Sequence, residues 1–98
     1  MDYGALLHNF LDGRGRLKAF PAKHKMQLYA IAYLAEKLED GRLYTEEELN
    51  SLLCEWHTFN DPATLRRELY QNRYLDRKPD GSAYWRTPQT LTDEASKK

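Results

Sequence analysis

One cysteine, Cys54, is all that the 98 residues contain. A lone thiol cannot close an internal disulfide, which excludes a disulfide-stapled secreted scaffold and points to a reducing, cytoplasmic setting. No apolar run is long enough to span a bilayer, so no membrane segment is expected. The opening Met-Asp-Tyr-Gly-Ala-Leu-Leu-His has neither a basic start nor a long apolar stretch, and no signal peptide is expected. An excess of one charge is also missing, since 15 Lys and Arg balance 15 Asp and Glu. Without it there is no uniform pull on a polyanion, and any nucleic-acid binding must come from a local face. The length leaves no room for a second hydrophobic core. A single domain is therefore expected over residues 1–86, with 12% aromatics arguing against general disorder.

What is present is unevenly distributed. Residues 1–35 hold five bases and two acids, whereas residues 36–55 hold two bases and seven acids. Residues 56–78 return to five bases against three acids, and residues 79–98 balance. Beyond Thr87 the sequence is polar and unpatterned, and residues 87–98 are expected to form a disordered tail.

Hydrophobic spacing supplies the elements. Leu6, Leu7, Phe10 and Leu11 predict a short helix within Asp2 to Leu11, which must dock on something to be stable. Asp12-Gly13-Arg14-Gly15-Arg16 reads as a turn, and Leu17 to Phe20 as a brief extended piece before Pro21. A second helix is predicted from about Ala22 to Leu38, with Pro21 suited to its first turn. Leu28, Ile31, Leu34, Ala35 and Leu38 make one apolar stripe, while Met26, Tyr29, Ala30 and Tyr33 make another on the opposite side. A helix apolar on two faces is sandwiched. Its second cover is either the first helix, which is preferred, or a partner subunit in a homodimer.

Asp40-Gly41 ends that helix, and Arg42-Leu43-Tyr44 allows only a tiny strand. Thr45 with Glu48 forms a capping box, so a helix is predicted from there to about Trp56, with Leu49, Leu52, Leu53 and Trp56 on one face. Asp61-Pro62 opens another, running to about Asn72 with Leu65 and Leu69 inside. Tyr74–Arg77 and Ser82–Arg86, joined through Lys78-Pro79-Asp80-Gly81, read as a β-hairpin. The predicted core is Leu28, Ile31, Leu34, Leu49, Leu53, Leu65, Leu69 and Leu75, closed under the hairpin by Trp85 or Tyr84.

Helix, short strand, helix, helix, hairpin is the order of a winged helix-turn-helix, here an α+β three-helix core with an extra N-terminal helix. In that arrangement the helix over residues 62–72 faces a DNA major groove. Thr64, Arg67, Tyr70 and Gln71 point outward with Arg66 on the flank. Arginine suits guanine, glutamine suits adenine, and hydroxyls suit phosphate. Arg77 and Lys78 begin the wing, where backbone contacts would fall. The same face also fits a solvated surface or a protein interface, because polar helix faces are common.

A second basic cluster comprises Arg14, Arg16, Lys18, Lys23 and Lys25, with no acid from Gly13 to Ala35. Gly13 and Gly15 would leave backbone N–H groups open near a helix start, an arrangement that could assist phosphate-backbone binding. The GxxxxGK[ST] pattern is missing, so nucleotide hydrolysis is not expected.

Three blocks in order carry a resemblance. They are Phe10-Leu11-Asp12-Gly13-Arg14-Gly15-Arg16-Leu17-Lys18-Ala19-Phe20-Pro21, then Tyr44-Thr45-Glu46 leading to Asp61-Pro62-Ala63-Thr64-Leu65-Arg66-Arg67-Glu68-Leu69, then Leu75-Asp76-Arg77 with Asp80-Gly81-Ser82-Ala83-Tyr84-Trp85-Arg86. Together they resemble a prokaryotic family known as domain of unknown function 2087, over about Phe10 to Arg86. That family occurs alone or joined to bacterial transcriptional regulators, with no established biochemical activity. The resemblance implies a regulatory neighbourhood, and with it a transcriptional-regulator partner, rather than a reaction. The chain departs from the family at Arg73, where glycine is usual, which implies a more strained helix end.

Catalysis is not expected. His8, His24 and His57 are scattered, and neither a Ser-His-Asp order nor a paired-carboxylate arrangement stands out. Cys54-x-x-His57 followed by Asp61 faintly echoes a metal site, but structural zinc wants four ligands and no second cluster is visible. A buried cysteine beside a surface histidine is the expectation, with no metal and no cofactor.

Overall fold

The computed structural model describes residues 2–88. Residues 89–98, on which most of the expected tail falls, lie outside the described residues. In chain order the elements are α1 (Tyr3–Leu6), a 3-10 turn (His8–Phe10), α2 (His24–Ala35), α3 (Glu46–Glu55), α4 (Pro62–Gln71), β1 (Leu75–Arg77) and β2 (Tyr84–Arg86). Four helices thus accompany one antiparallel two-stranded hairpin, an α+β fold.

The two helices with explicit start signals form where those signals sit. The Thr45 hydroxyl accepts the Glu48 N–H at 3.1 Å, and the Glu48 carboxylate accepts the Thr45 N–H at 2.9 Å, completing the capping box of α3. Asp61 accepts the Thr64 N–H at 3.3 Å and Pro62 takes the first helical position of α4. Leu49 and Leu53 of α3 and Leu65 and Leu69 of α4 are fully buried, and the two helices pack on each other.

The first two helices differ from expectation. α1 stops at Leu6, capped by the Asp2 carboxylate on the Ala5 N–H, instead of running to Leu11. The chain leaves the helix because Leu11 pairs antiparallel with Leu17 and the Phe10 carbonyl accepts the Lys18 N–H. α2 begins at His24 rather than Ala22, without a capping side chain, and Pro21 lies outside it with its carbonyl held by the Gln27 amide. At the other end, Lys37 N–H to Leu34 and Leu38 N–H to Ala35 tighten Glu36–Leu38 into a turn.

Leu28 is 37% exposed and is not core, correcting the expectation for it. In the N-terminal half of α2 Met26 and Tyr29 are only partly buried against the core, and full burial starts at Ala30, from which every residue to Ala35 is buried. The sandwiching read from the two stripes therefore applies to the C-terminal half. α1 supplies cover from Tyr29 onward: the Tyr3 and Tyr29 rings lie 6.0 Å apart, and a side chain at Gly4 would touch Tyr33.

Several buried residues were not anticipated, Leu17 and His57 among them. Leu17 donates its N–H to Trp56 and accepts from Thr58, both at 2.9 Å, so the loop after α1 is clamped to the end of α3. His57 is 3% exposed while Cys54 is exposed, the reverse of the expected pair. Cys54 follows the inward Leu53 and so turns away from the core by one helical step. His57 lies past the helix end and folds back, donating Nδ1–H to the Leu53 carbonyl at 2.6 Å. Its Nε2 accepts the Asp61 N–H at 2.8 Å. A carbonyl only accepts and an amide N–H only donates, so these partners set the neutral Nδ1–H tautomer.

The hairpin pairs Leu75 with Arg86, Asp76 with Trp85 and Arg77 with Tyr84. Its turn is closed by Gly81 N–H to Lys78, with Gly81 at φ 76°, a conformation glycine adopts without Cβ strain. Tyr44 exchanges both backbone hydrogen bonds with Tyr84 at 2.8 Å, extending the hairpin by one residue. Tyr84 is buried and Trp85 only half-buried, so Tyr84 closes the core here. Thr87, expected to begin the tail, donates its N–H to Tyr74.

Candidate nucleic-acid interface

Burial of Leu65 and Leu69 dictates which side of α4 meets solvent. Arg67, Tyr70 and Gln71 are exposed, whereas Thr64 and Arg66 are half-buried on the flanks. α4 ends in a Schellman arrangement, with Tyr74 N–H to Leu69 and Arg73 N–H to Tyr70. Arg73 occupies the left-handed position of that motif at φ 66°, where glycine would be unstrained. The tight reversal brings β1 back alongside α4 and sets Arg77 against Tyr70, its guanidinium 5.1 Å from the ring centroid.

Two shallow grooves share Tyr70. One, of about 290 Å³, is lined by Glu46, Arg66, Arg67, Arg77 and Tyr84. The other, of about 420 Å³, is lined by Gln71, Arg73, Leu75, Asp76 and Thr87. Of the residues proposed from sequence, the fold thus gathers Arg66, Arg67, Tyr70, Gln71 and Arg77 onto one surface. Lys78 is exposed at the first position of the hairpin turn, and neither it nor Thr64 lines these grooves.

The surface also holds residues the sequence reasoning missed. Arg73 joins it through the left-handed helix end, and the unusual residue at a glycine position was the available signal. Glu46 and Tyr84 come from elements distant in sequence and gave no local signal. Glu46 lies 3.9 Å from the Arg66 guanidinium and accepts the Tyr84 hydroxyl at 3.3 Å. Arg66 also donates to the Asn50 amide oxygen, so it is held from two sides and only 21% of its side chain is exposed. Four arginines and two carboxylates line the paired grooves, leaving a modest positive balance around one exposed tyrosine.

The second basic cluster is built differently from the open loop expected. The Asp12 carboxylate accepts the backbone N–H groups of Arg14 and Arg16, both at 2.9 Å, and the Arg16 Nε at 2.8 Å. Gly15 donates its N–H to the Asp12 carbonyl. These N–H groups turn into the loop, and the Arg16 charge is paired. The bond from the Arg16 backbone, with help from Arg14 and the Arg16 side chain, holds the Asp12 carboxyl below its ordinary value. Tyr33 donates its hydroxyl to the Gly15 carbonyl at 2.7 Å, fastening the loop to α2. Lys18 lines a groove beside the loop, while Lys23 caps α2 through its backbone and Lys25 lies 5.9 Å from the Tyr29 ring. With α2 starting at His24, the helix start is displaced from Pro21, where the sequence suggested it.

Among the described residues, no group of three or more His, Cys, Asp or Glu could hold a metal ion. No helix among them is long and apolar enough to cross a membrane. Residues 16–86 match the family described as "Uncharacterized protein conserved in bacteria (DUF2087)". No curated protein and no solved structure matches the chain.

Proposed function

The chain belongs to this bacterial family, DUF2087, and we propose that it acts as a cytoplasmic winged-helix module of transcriptional regulation that binds duplex DNA. One observation carries the reading: exposed Tyr70 stands on α4 with Arg67 and Arg77 beside it and Arg73 across the neighbouring groove. Arginine, tyrosine and glutamine at this spacing can divide the work between phosphates and base edges. The winged-helix assignment is supported by the order α2, α3, α4, hairpin, and by the Tyr44–Tyr84 pair in the place of a first short strand. In this reading α4 enters the major groove, Arg67 and Gln71 meet base edges, and Arg73, Arg77 and Lys78 meet phosphates. Thr64 sits at the start of α4, where a hydroxyl would serve the backbone. Arg14, Lys18, Lys23 and Lys25 are left for long-range attraction only.

The test is an amide chemical-shift footprint on adding a mixed-sequence duplex. The proposal expects shifts centred on Arg67, Tyr70, Gln71, Arg77 and Lys78. A footprint confined to the acidic side of α3 would contradict it.

One observation favours a second reading, a protein-interaction or dimerisation surface on the same fold. Glu46 stands within the arginine-lined groove, which suits a partner carrying both charges better than a polyanion. A homodimer or a transcriptional-regulator partner would then bind there, and light scattering at rising concentration would reveal a homodimer as a doubled mass.

A further inference from the structure

Resting on the DNA-binding reading, we infer that Glu46 occupies the position of a backbone phosphate at one end of the groove and restrains the affinity of the site for nucleic acid. The Glu46 carboxylate accepts the Tyr84 hydroxyl at 3.3 Å and pairs in charge with the Arg66 guanidinium at 3.9 Å. Arg67 and Arg77 border the same groove. Hydroxyl and guanidinium groups converging on an oxygen are the donors that phosphate oxygens recruit. Here an oxygen of the protein itself takes that place.

The consequence follows from charge. Arg66 is engaged by Glu46 and Asn50, so it adds no free cation toward a phosphate, although it stands one residue from Arg67. The Glu46 side chain is 54% exposed, so its charge also repels any phosphate that approaches this end. Duplex contacts are thereby shifted toward Arg73, Arg77 and Lys78. Glu46 is a positioning residue for the nucleic-acid backbone, setting where the phosphates lie and how tightly they are held. Its neighbour Glu47 does not share the role, because it lines a separate groove with Arg42, Glu48 and Glu55.

The experiment compares the full chain with Glu46→Gln and Glu47→Gln, each first shown to be folded by circular dichroism. Anisotropy of a labelled mixed-sequence duplex is followed at several salt concentrations. Glutamine keeps an acceptor for Tyr84 but removes the charge and releases Arg66. Glu46→Gln should bind about two- to fivefold more tightly at low salt, the effect of one unit charge a few ångströms from a phosphate in water. Its slope of log affinity against log salt should steepen by about 0.9, the signature of one added phosphate contact. Glu47→Gln should move neither quantity by a comparable amount. Equal behaviour of the two variants, with the parent chain binding the duplex, would overturn the inference and leave the DNA reading standing. Failure of all three proteins to bind would overturn the DNA reading, and the inference with it.

Discussion

The ring of His57 accepts the backbone N–H of Asp61 at 2.8 Å and donates to the carbonyl of Leu53 at 2.6 Å, so one imidazole joins the end of α3 to the cap of α4. The geometry of the α3–α4 turn, and hence the direction in which α4 presents Arg67 and Tyr70, depends on this buried bridge. Phe59 packs edge-on against the ring at 4.7 Å, and His57 is buried.

Replacing His57 by alanine leaves the Asp61 N–H without its acceptor, leaves the Leu53 carbonyl with only the Trp56 N–H, and opens a small cavity. A loss of about 2–4 kcal/mol is expected from the combined hydrogen-bond and cavity penalties. Chemical denaturation checks it, and a loss within about 0.5 kcal/mol, typical of surface sites, would contradict the bridging role.

The burial pattern separates two leucines that periodicity treats alike. Leu69→Ala should cost about 2–5 kcal/mol, because Leu69 is fully buried between α4 and its neighbours. Leu28→Ala should cost about 0.5 kcal/mol or less, since that side chain is already exposed. Thermal unfolding of both variants gives the comparison, and equal losses would place the core wrongly.

Arg73 holds a left-handed conformation that costs an L-residue about 1–2 kcal/mol, partly offset by the greater chain entropy that glycine loses on folding. Arg73→Gly should therefore stabilise the fold by about 0.5–1 kcal/mol in urea unfolding. It should at the same time weaken duplex binding by removing one cation. Destabilisation on this substitution would contradict the Schellman end of α4.

Four carboxyls lie below their ordinary values because hydrogen bonds favour the ionised form. Asp12 is held mainly by the Arg16 backbone, Glu48 by the Thr45 backbone, Asp61 by Thr64 and Asp80 by Ser82. A depressed carboxyl contributes stability above its unfolded pKa and loses it as pH falls through the folded value. Stability attributable to these groups should thus persist from neutral pH to about pH 4.5 and decline only below about pH 4. Asp12→Asn should make that acid decline shallower, as followed by fluorescence, and an unchanged profile would argue against the closed loop.

Legibility in the sequence followed how local each signal is. Thr45-x-x-Glu48 and Asp61-Pro62 act within one helical turn, and α3 and α4 start where these residues put them. The hairpin around Pro79-Asp80-Gly81 is equally local. α1 and the start of α2 carry no comparable caps at their disputed ends, and there pairing of Leu11 with Leu17 and the hold of Gln27 on Pro21 overrode periodicity. His57 and Leu17 owe their burial to contacts made across the chain, which spacing does not encode. The candidate surface divides the same way. Arg67, Tyr70 and Gln71 follow from helical stepping on α4, but Glu46 reaches them only through the packing of α3 on α4 and the tie to Tyr84.

The central claim, that α4 and the hairpin bind duplex DNA, is tested most directly by anisotropy of a mixed-sequence duplex across a salt series. Contacts from Arg73, Arg77 and Lys78 predict a slope of log affinity against log salt near about −2.7, at about −0.9 per phosphate. Lys78→Ala should weaken binding to all sequences and make the slope shallower by about one unit. Arg67→Ala should cost about 1–3 kcal/mol at a preferred site and blur its sequence preference. No anisotropy change at low salt, with folded protein at tens of micromolar, would contradict the claim and leave the surface to a protein partner.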